Sequence, residues 1–245
     1  MTDLLLDIGQ PPIHKVPDDI LILIFSFFPI HSDVLRKKDW PQTWLTITHV
    51  CKRWREVALN TAQLWAVLWY SWSKREVLEA FISRSRQAPL EVELFEADSD
   101  KLTDALHLVL PELGRTKSLT LSMETEAFEE FEEDNYKIPA VLPLIRSLSI
   151  SCQTMSYNKI AQLPSFVTRS SLPDLTNLFV DNLLISWIPG LFPTCLRSLY
   201  IRRPVHQDSG LYLAPLSQIV AVIKELPLLE QLTLLDLFQI GRAHV

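Results

Sequence analysis

The sequence predicts an α/β protein: a small helical module at the N-terminus, then a longer series of strand-plus-helix units whose strands form one parallel sheet. Three observations predict it. Residues 13–72 carry apolar side chains at helical spacing between helix-starting and helix-ending residues. From residue 73 onward short strand patterns recur, separated by proline-punctuated stretches compatible with helices. Sixteen prolines against five glycines favour many short elements over glycine-rich phosphate-cradling loops.

The module begins after a tail of residues 1–12. Pro17 followed by Asp18 and Asp19 makes a helix start, because proline fits a first turn and acids complement the positive end of the helix dipole. Ile20, Leu21, Ile24, Phe25 and Phe28 follow at helical spacing, and Pro29 is expected to stop the helix. A polar connector holds the basic cluster Arg36, Lys37 and Lys38. A second helix is expected over residues 43–59. Trp44, Ile47, Val50, Cys51, Trp54 and Ala58 are its apolar positions, and Lys52, Arg53, Arg55 and Glu56 its wet face. Asn60 and Thr61 end it, and residues 63–72 form a short aromatic segment with Trp65, Trp69, Tyr70 and Trp72. Leu23, Phe27 and the apolar residues already named nearly encircle the first helix, whereas a surface helix carries one apolar stripe. A module of about 60 residues is marginal alone. Its excess apolar surface is therefore expected to meet the rest of the chain or a partner.

Residues 73–86 read as a helix with Val77, Leu78, Phe81 and Ile82 inward, and residues 89–94 as a strand of strict alternation. Further strands are expected at residues 118–121, 147–150, 177–180, 198–201 and 231–234. The leucines Leu119, Leu148, Leu178, Leu199 and Leu232 are separated by 29, 30, 21 and 33 residues. This resembles an irregular leucine-rich repeat, whose period is ~20–29 residues. The consensus asparagine that would bond exposed loop backbone is read as missing after every strand, so the repeats are degenerate. Each unit can bury its apolar face only against its neighbours, so residues 73–239 are expected to stack as a solenoid. Alternation then sets Thr120, Ser149, Phe179, Tyr200 and Thr233 on the exposed concave face, a candidate substrate surface. The closing hexapeptide, residues 240–245, can be encoded by a stretch similar to a common sequencing-library adapter. It is read as a non-native tail, with the natural chain cut soon after Leu237 and its closing cap lost.

Two segments of the module carry a family resemblance. Val16-Pro17-Asp18-Asp19-Ile20-Leu21-Ile22-Leu23-Ile24-Phe25 resembles the opening of an F-box, and Val50-Cys51-Lys52-Arg53-Trp54 resembles its second half. Asn60-Thr61-Ala62-Gln63-Leu64-Trp65 and residues 81–90 are similar to the continuation of the box in the expanded F-box families of fungi. Val16 stands where leucine is usual, Asp19 where glutamate is usual, and the connector over residues 31–44 is longer than the minimum. The resemblance implies a Skp1-like adaptor and a cullin complex as partners. It also implies Pro17, Ile20, Leu21, Ile24, Phe25, Val50, Cys51 and Trp54 as docking or module-core residues, and an unknown protein substrate held by the repeats.

Other chemistries find little support. A net charge of −6 disfavours nonspecific nucleic-acid binding, which needs a basic surface. The most apolar run, residues 20–30, is far below the ~20 residues that span a bilayer. Cys51, Cys152 and Cys195 are three and far apart, so no disulfide framework is expected. His14, His31, His107 and His206 show no ligand spacing, so no metal is expected. Cys51 beside His49 reads as a packed position of the second helix. The acids Glu124, Glu126, Glu129, Glu130, Glu132, Glu133 and Asp134 lack the glycine turn of a calcium loop and read as a solvated insertion. No nucleophile elbow, Walker loop or dinucleotide turn is present. The expectation is an intracellular, cytoplasmic or nuclear, non-enzymatic protein without cofactor. Its role is that of a substrate-receptor adaptor in a Skp1-cullin-F-box ubiquitin ligase, with a non-ligase interaction scaffold as the alternative.

Overall fold

The computed structural model describes residues 12–30, 45–70, 75–95, 99–128, 138–153, 161–202 and 215–237. The basic cluster at Arg36, Lys37 and Lys38, Trp44, Trp72, the acids from Glu129 to Asp134, His31, His206 and the 240–245 tail lie outside them. The chain divides into two compact units, Met1–Trp65 and Ala66–Val245.

In the first unit a 3-10 turn, Pro12–Lys15, leads into helix α1 (Asp18–Ile30). The Pro17 carbonyl accepts the first intrahelical bond from the Leu21 N–H at 3.0 Å, so the missing proline N–H costs nothing there. Asp18 and Asp19 occupy the first turn. α1 continues one residue past Pro29 instead of stopping at it. In a last turn a proline forfeits one bond of a helix already built.

The single helix expected over residues 43–59 is two elements, a 3-10 helix Thr46–His49 and helix α2 (Lys52–Asn60). Cys51 makes the break. Its backbone is extended (φ −156, ψ 170), and its Sγ accepts the Trp54 N–H at 3.5 Å. The thiol thus takes the N-cap place usually held by a serine or aspartate oxygen. Arg55 Nε donates to the Thr48 carbonyl at 2.8 Å and closes the corner. α2 ends at Asn60 as expected, and the Thr61 hydroxyl donates to the Val57 carbonyl at 2.7 Å. Leu21, Phe25, Ile47, Ala58, Leu64 and Trp65 are buried. The Trp65 indole N–H donates to the Ala58 carbonyl at 2.9 Å, which satisfies its polar atom inside the module.

Among the described residues the second unit is built on a seven-stranded sheet, all parallel, with strands in chain order. These are β1 (Val67–Tyr70), β2 (Leu90–Phe95), β3 (Thr116–Glu124), β4 (Ser147–Gln153), β5 (Asn177–Asp181), β6 (Ser198–Arg202) and β7 (Gln231–Leu235). β2 to β7 lie where alternation predicts them. β1 falls inside the segment expected to be merely aromatic, because Val67-Leu68-Trp69-Tyr70 has no polar residue to reveal alternation. Parallel neighbours require long crossovers. The described parts of the crossovers include helices α3 (Arg75–Ser85), α4 (Ser99–Val109) and α5 (Leu216–Lys224), and the 3-10 helix Leu110–Arg115.

Register stacks like on like. Val92, Leu119, Leu148, Leu178 and Leu199 pair in one row and are buried, and a second buried row runs through Leu121, Ile150, Val180 and Ile201. A slip of one residue in any strand would turn its leucines outward, so burial enforces the register. Arg115 joins successive connectors: its guanidinium donates to the Glu112 carboxylate (2.7 Å), the Ala88 carbonyl (2.8 Å) and the Ser85 hydroxyl (3.0 Å). The expectation that no asparagine serves the loop backbone is corrected at one place. Asn182, immediately after β5, sits at φ 65 and donates its amide to the Cys152 carbonyl at 2.8 Å. Asparagine tolerates this left-handed backbone and bonds locally from it.

Candidate functional site

Two surfaces collect the residues singled out by sequence, one on each unit. On the first, α1 carries two apolar stripes rather than one. Leu21 and Phe25 are fully buried, with Phe25 packed edge-on against Trp54 at 5.0 Å between ring centroids. Ile20, Leu23, Ile24 and Phe27, at the i, i+3, i+4, i+7 spacing of one helical face, are 42, 55, 40 and 55% exposed. Covering such side chains recovers on the order of 1 kcal/mol apiece. Val50 adds 60% exposure in the turn before α2, and Pro17 is also exposed.

The eight residues proposed for this module therefore separate into distinct places. Leu21 and Phe25 are core, while Trp54 is half-buried against Phe25. Cys51 caps α2 and is half-buried. Pro17, Ile20, Ile24 and Val50 face solvent. Leu23 and Phe27 belong to the exposed stripe, although the sequence marks them only as part of the apolar excess. Helical spacing alone places them beside Ile20 and Ile24, and the burial of Leu21 and Phe25 decides which stripe is left outside.

On the second unit the five candidate positions form one unbroken row. Thr120, Ser149, Phe179, Tyr200 and Thr233 are register partners from β3 to β7. The Phe179 and Tyr200 rings stack at 4.4 Å between centroids and 12° between planes. The row continues through Glu93 on β2 to Trp69 on β1. Sequence reasoning missed both as site residues. Extending the alternation of β2 by its own register would have found Glu93, whereas Trp69 needed β1 itself.

One row further along, Arg202 on β6 binds Asp181 on β5 through two bonds, Nε to Oδ1 at 2.6 Å and Nη2 to Oδ2 at 2.5 Å. The bonds and charge of Asp181 hold the guanidinium above its already high ordinary pKa. On the two strands before this pair the same face carries Ser118, Thr120, Ser122 and then Glu124 on β3, and Ser147, Ser149, Ser151 and then Gln153 on β4. Ser151 donates to the Ser122 hydroxyl at 2.9 Å, as does the Gln153 amide.

No group of three His, Cys, Asp or Glu among the described residues could hold a metal ion. None of their helices is long and apolar enough to cross a membrane. Cys152 lies buried beside the Thr125 hydroxyl, and burial pushes its thiol up, which favours the un-nucleophilic protonated form.

Residues 13–70 match the F-box-like domain family. No curated protein and no solved structure matches the chain. F-box domains generally bind Skp1-like adaptors in cullin complexes, and the matched segment suggests a role of that general kind, in ubiquitin-ligase adaptor function.

Proposed function

We propose, from that F-box-like segment as premise, that this chain is a substrate-receptor adaptor of a Skp1-cullin-F-box ubiquitin ligase. The first unit docks on a Skp1-like protein. The second, read as an irregular leucine-rich-repeat array of the kind joined to expanded fungal F-boxes, holds a protein substrate on the open face of its sheet. The chain itself breaks no bond and takes no cofactor. It works inside the cell by proximity, turning an encounter between substrate and transfer machinery into an effectively intramolecular step.

The observation that carries this reading is the second apolar stripe of α1. Ile20, Leu23, Ile24 and Phe27 stay exposed although the module has buried Leu21 and Phe25 behind them. A stripe at this spacing is the anchor pattern of a helix that enters a partner's groove. The test is co-purification with a Skp1-like protein. Wild type is expected to retain it, and a Leu23→Ser, Phe27→Ser variant with an unchanged circular dichroism spectrum is expected to lose it. Failure of the wild type to bind overturns the proposal.

A further inference from the structure

Two neighbouring rows on the open face of the sheet carry no charged residue from β3 to β7. One is the row of Thr120, Ser149, Phe179, Tyr200 and Thr233. The row beside it runs through Ser118, Ser147, Asn177, Ser198 and Gln231. Two sets of charges at their margins are closed within the protein: Lys117 binds Glu91 at 2.7 Å, and Arg202 binds Asp181.

The aromatic pair has a direction. Its ring separation of 4.4 Å nearly equals the spacing of adjacent strands, about 4.8 Å, so both rings stand up from the sheet and stack along the row. One face of Phe179 is covered by Tyr200, and the other is turned toward Ser149, its register partner on β4. There the floor is low. In these two rows β4 and β3 carry Ser147, Ser149, Ser118 and Thr120, none larger than a threonine. An aromatic wall thus stands beside a shelf of hydroxyl groups two strands wide. Each such hydroxyl is able to donate to a carbonyl oxygen.

We propose that this shelf receives an uncharged, proline-containing segment of a partner protein in polyproline II conformation. One pyrrolidine ring lies against Phe179, and the carbonyls beside it accept from the serine and threonine hydroxyls. Proline suits both parts of the surface. Its ring is a compact apolar group for an aromatic wall, and its nitrogen has no hydrogen to leave unpaired, while its carbonyls need the donors that the shelf supplies. A polyproline II segment is extended before it binds and has no internal hydrogen bonds to break, so little ordering entropy opposes docking. Acidic or basic segments find no countercharge in the two rows and would have to open the Glu91–Lys117 or Asp181–Arg202 pair to gain one. The inference rests on the adaptor reading only in taking the second unit as the substrate side.

The test uses the full chain and fluorescein-labelled repeat peptides, (Ala-Pro-Pro)4, (Ala-Gly-Gly)4, (Glu-Pro-Pro)4 and (Arg-Pro-Pro)4, followed by fluorescence anisotropy. The neutral proline peptide is expected to bind most tightly, with an affinity unchanged between ~50 and ~300 mM salt because no charge is there to be screened. Phe179→Leu, which keeps an apolar group but removes the ring, is expected to weaken binding about ten-fold, the scale of an aromatic anchor. Ser149→Phe, which fills the shelf beside the ring, is expected to weaken it as much. Val141→Phe, the same ring added at an exposed position outside the strands, leaves binding unaltered. Circular dichroism confirms that each variant is folded, and Phe179→Leu decides the matter if Ser149→Phe is not. Absence of binding by (Ala-Pro-Pro)4 overturns the proposal, as does equal or tighter binding of the glycine peptide or of either charged peptide. An unaffected Phe179→Leu or folded Ser149→Phe variant overturns it too. Capture of a Skp1-like protein reads the α1 stripe alone, so the adaptor reading and the proline shelf fail separately.

Discussion

Arg53, in the first turn of α2, ties down the start of α1: its guanidinium donates to the Asp18 carboxylate (Nε 3.0 Å, Nη2 2.5 Å) and to the Val16 carbonyl (2.5 Å). The two partners lie on either side of Pro17, so one side chain fixes the entry of the chain into the helix that carries the exposed stripe. This joins the two motif halves, 35 residues apart. It also gives the basic residue between Cys51 and Trp54 a structural task.

Replacing Arg53 by methionine is expected to lower unfolding free energy by ~1–2 kcal/mol, measured by chemical denaturation. The exposed ion pair alone contributes at most ~1 kcal/mol, and the bond to the Val16 carbonyl adds a similar amount. Asp18→Asn removes only the ionic part and is expected to cost less. Arg53→Lys is expected to fall between wild type and methionine, because a point charge keeps the ionic part but cannot span both acceptors. Full rescue by lysine would show that charge alone accounts for the contact.

The two stripes of α1 make opposite predictions. Leu21→Ala empties a fully buried position and is expected to cost ~2–5 kcal/mol in stability. Leu23→Ala and Phe27→Ala alter half-exposed side chains and are expected to stay within about 1 kcal/mol of wild type. Thermal melts of the three variants read the difference, and equal losses would refute the division into core and docking stripe.

Within one row of the sheet the same residue type should carry very different weight. Leu199 on β6 is 1% exposed, while its register partner Leu232 on β7, the last described strand, is 43% exposed. Leu199→Ala is expected to cost ~2–5 kcal/mol, and Leu232→Ala below about 1 kcal/mol. Comparable destabilisation at both leucines would mean that β7 is covered as fully as β6.

Burial holds the Cys152 thiol above its ordinary value of 9.0, with the Thr125 bond acting in the opposite sense. The folded protein therefore keeps this proton at a pH where the unfolded chain releases it. The resulting stability is complete below the unfolded value and is lost as pH rises from there through the folded value. Unfolding free energy is expected to fall with pH above 9.0, at most ~1.4 kcal/mol per pH unit from this group. In a Cys51→Ser, Cys195→Ser background, the further change Cys152→Ala should remove that part of the slope. Identical slopes with and without the thiol would exclude it.

Much of this architecture was legible in the chain itself. Alternation located β2 to β7, because apolar residues at every second position can be buried only on one face of a strand. The same period put Thr120, Ser149, Phe179, Tyr200 and Thr233 on the opposite face before any register was known. The excess of apolar residues around Ile20 and Phe27 was visible as composition at helical spacing, and the structure divided it into a core stripe and an outer one.

Only the tertiary structure decided what depends on a neighbour. β1 has no alternation to read, and becomes a strand because β2 supplies its backbone partners. Helical periodicity runs through Val50 and Cys51 without a gap. The chain breaks there because the Cys51 thiol captures the Trp54 N–H, a local bond that propensity does not encode. The stacking of Phe179 on Tyr200 and the clasp of Arg202 by Asp181 likewise arise from strand register. Sequence spacing determines which side of its own strand a residue takes, but the residue lying beside it across the sheet is settled by how the intervening chain packs.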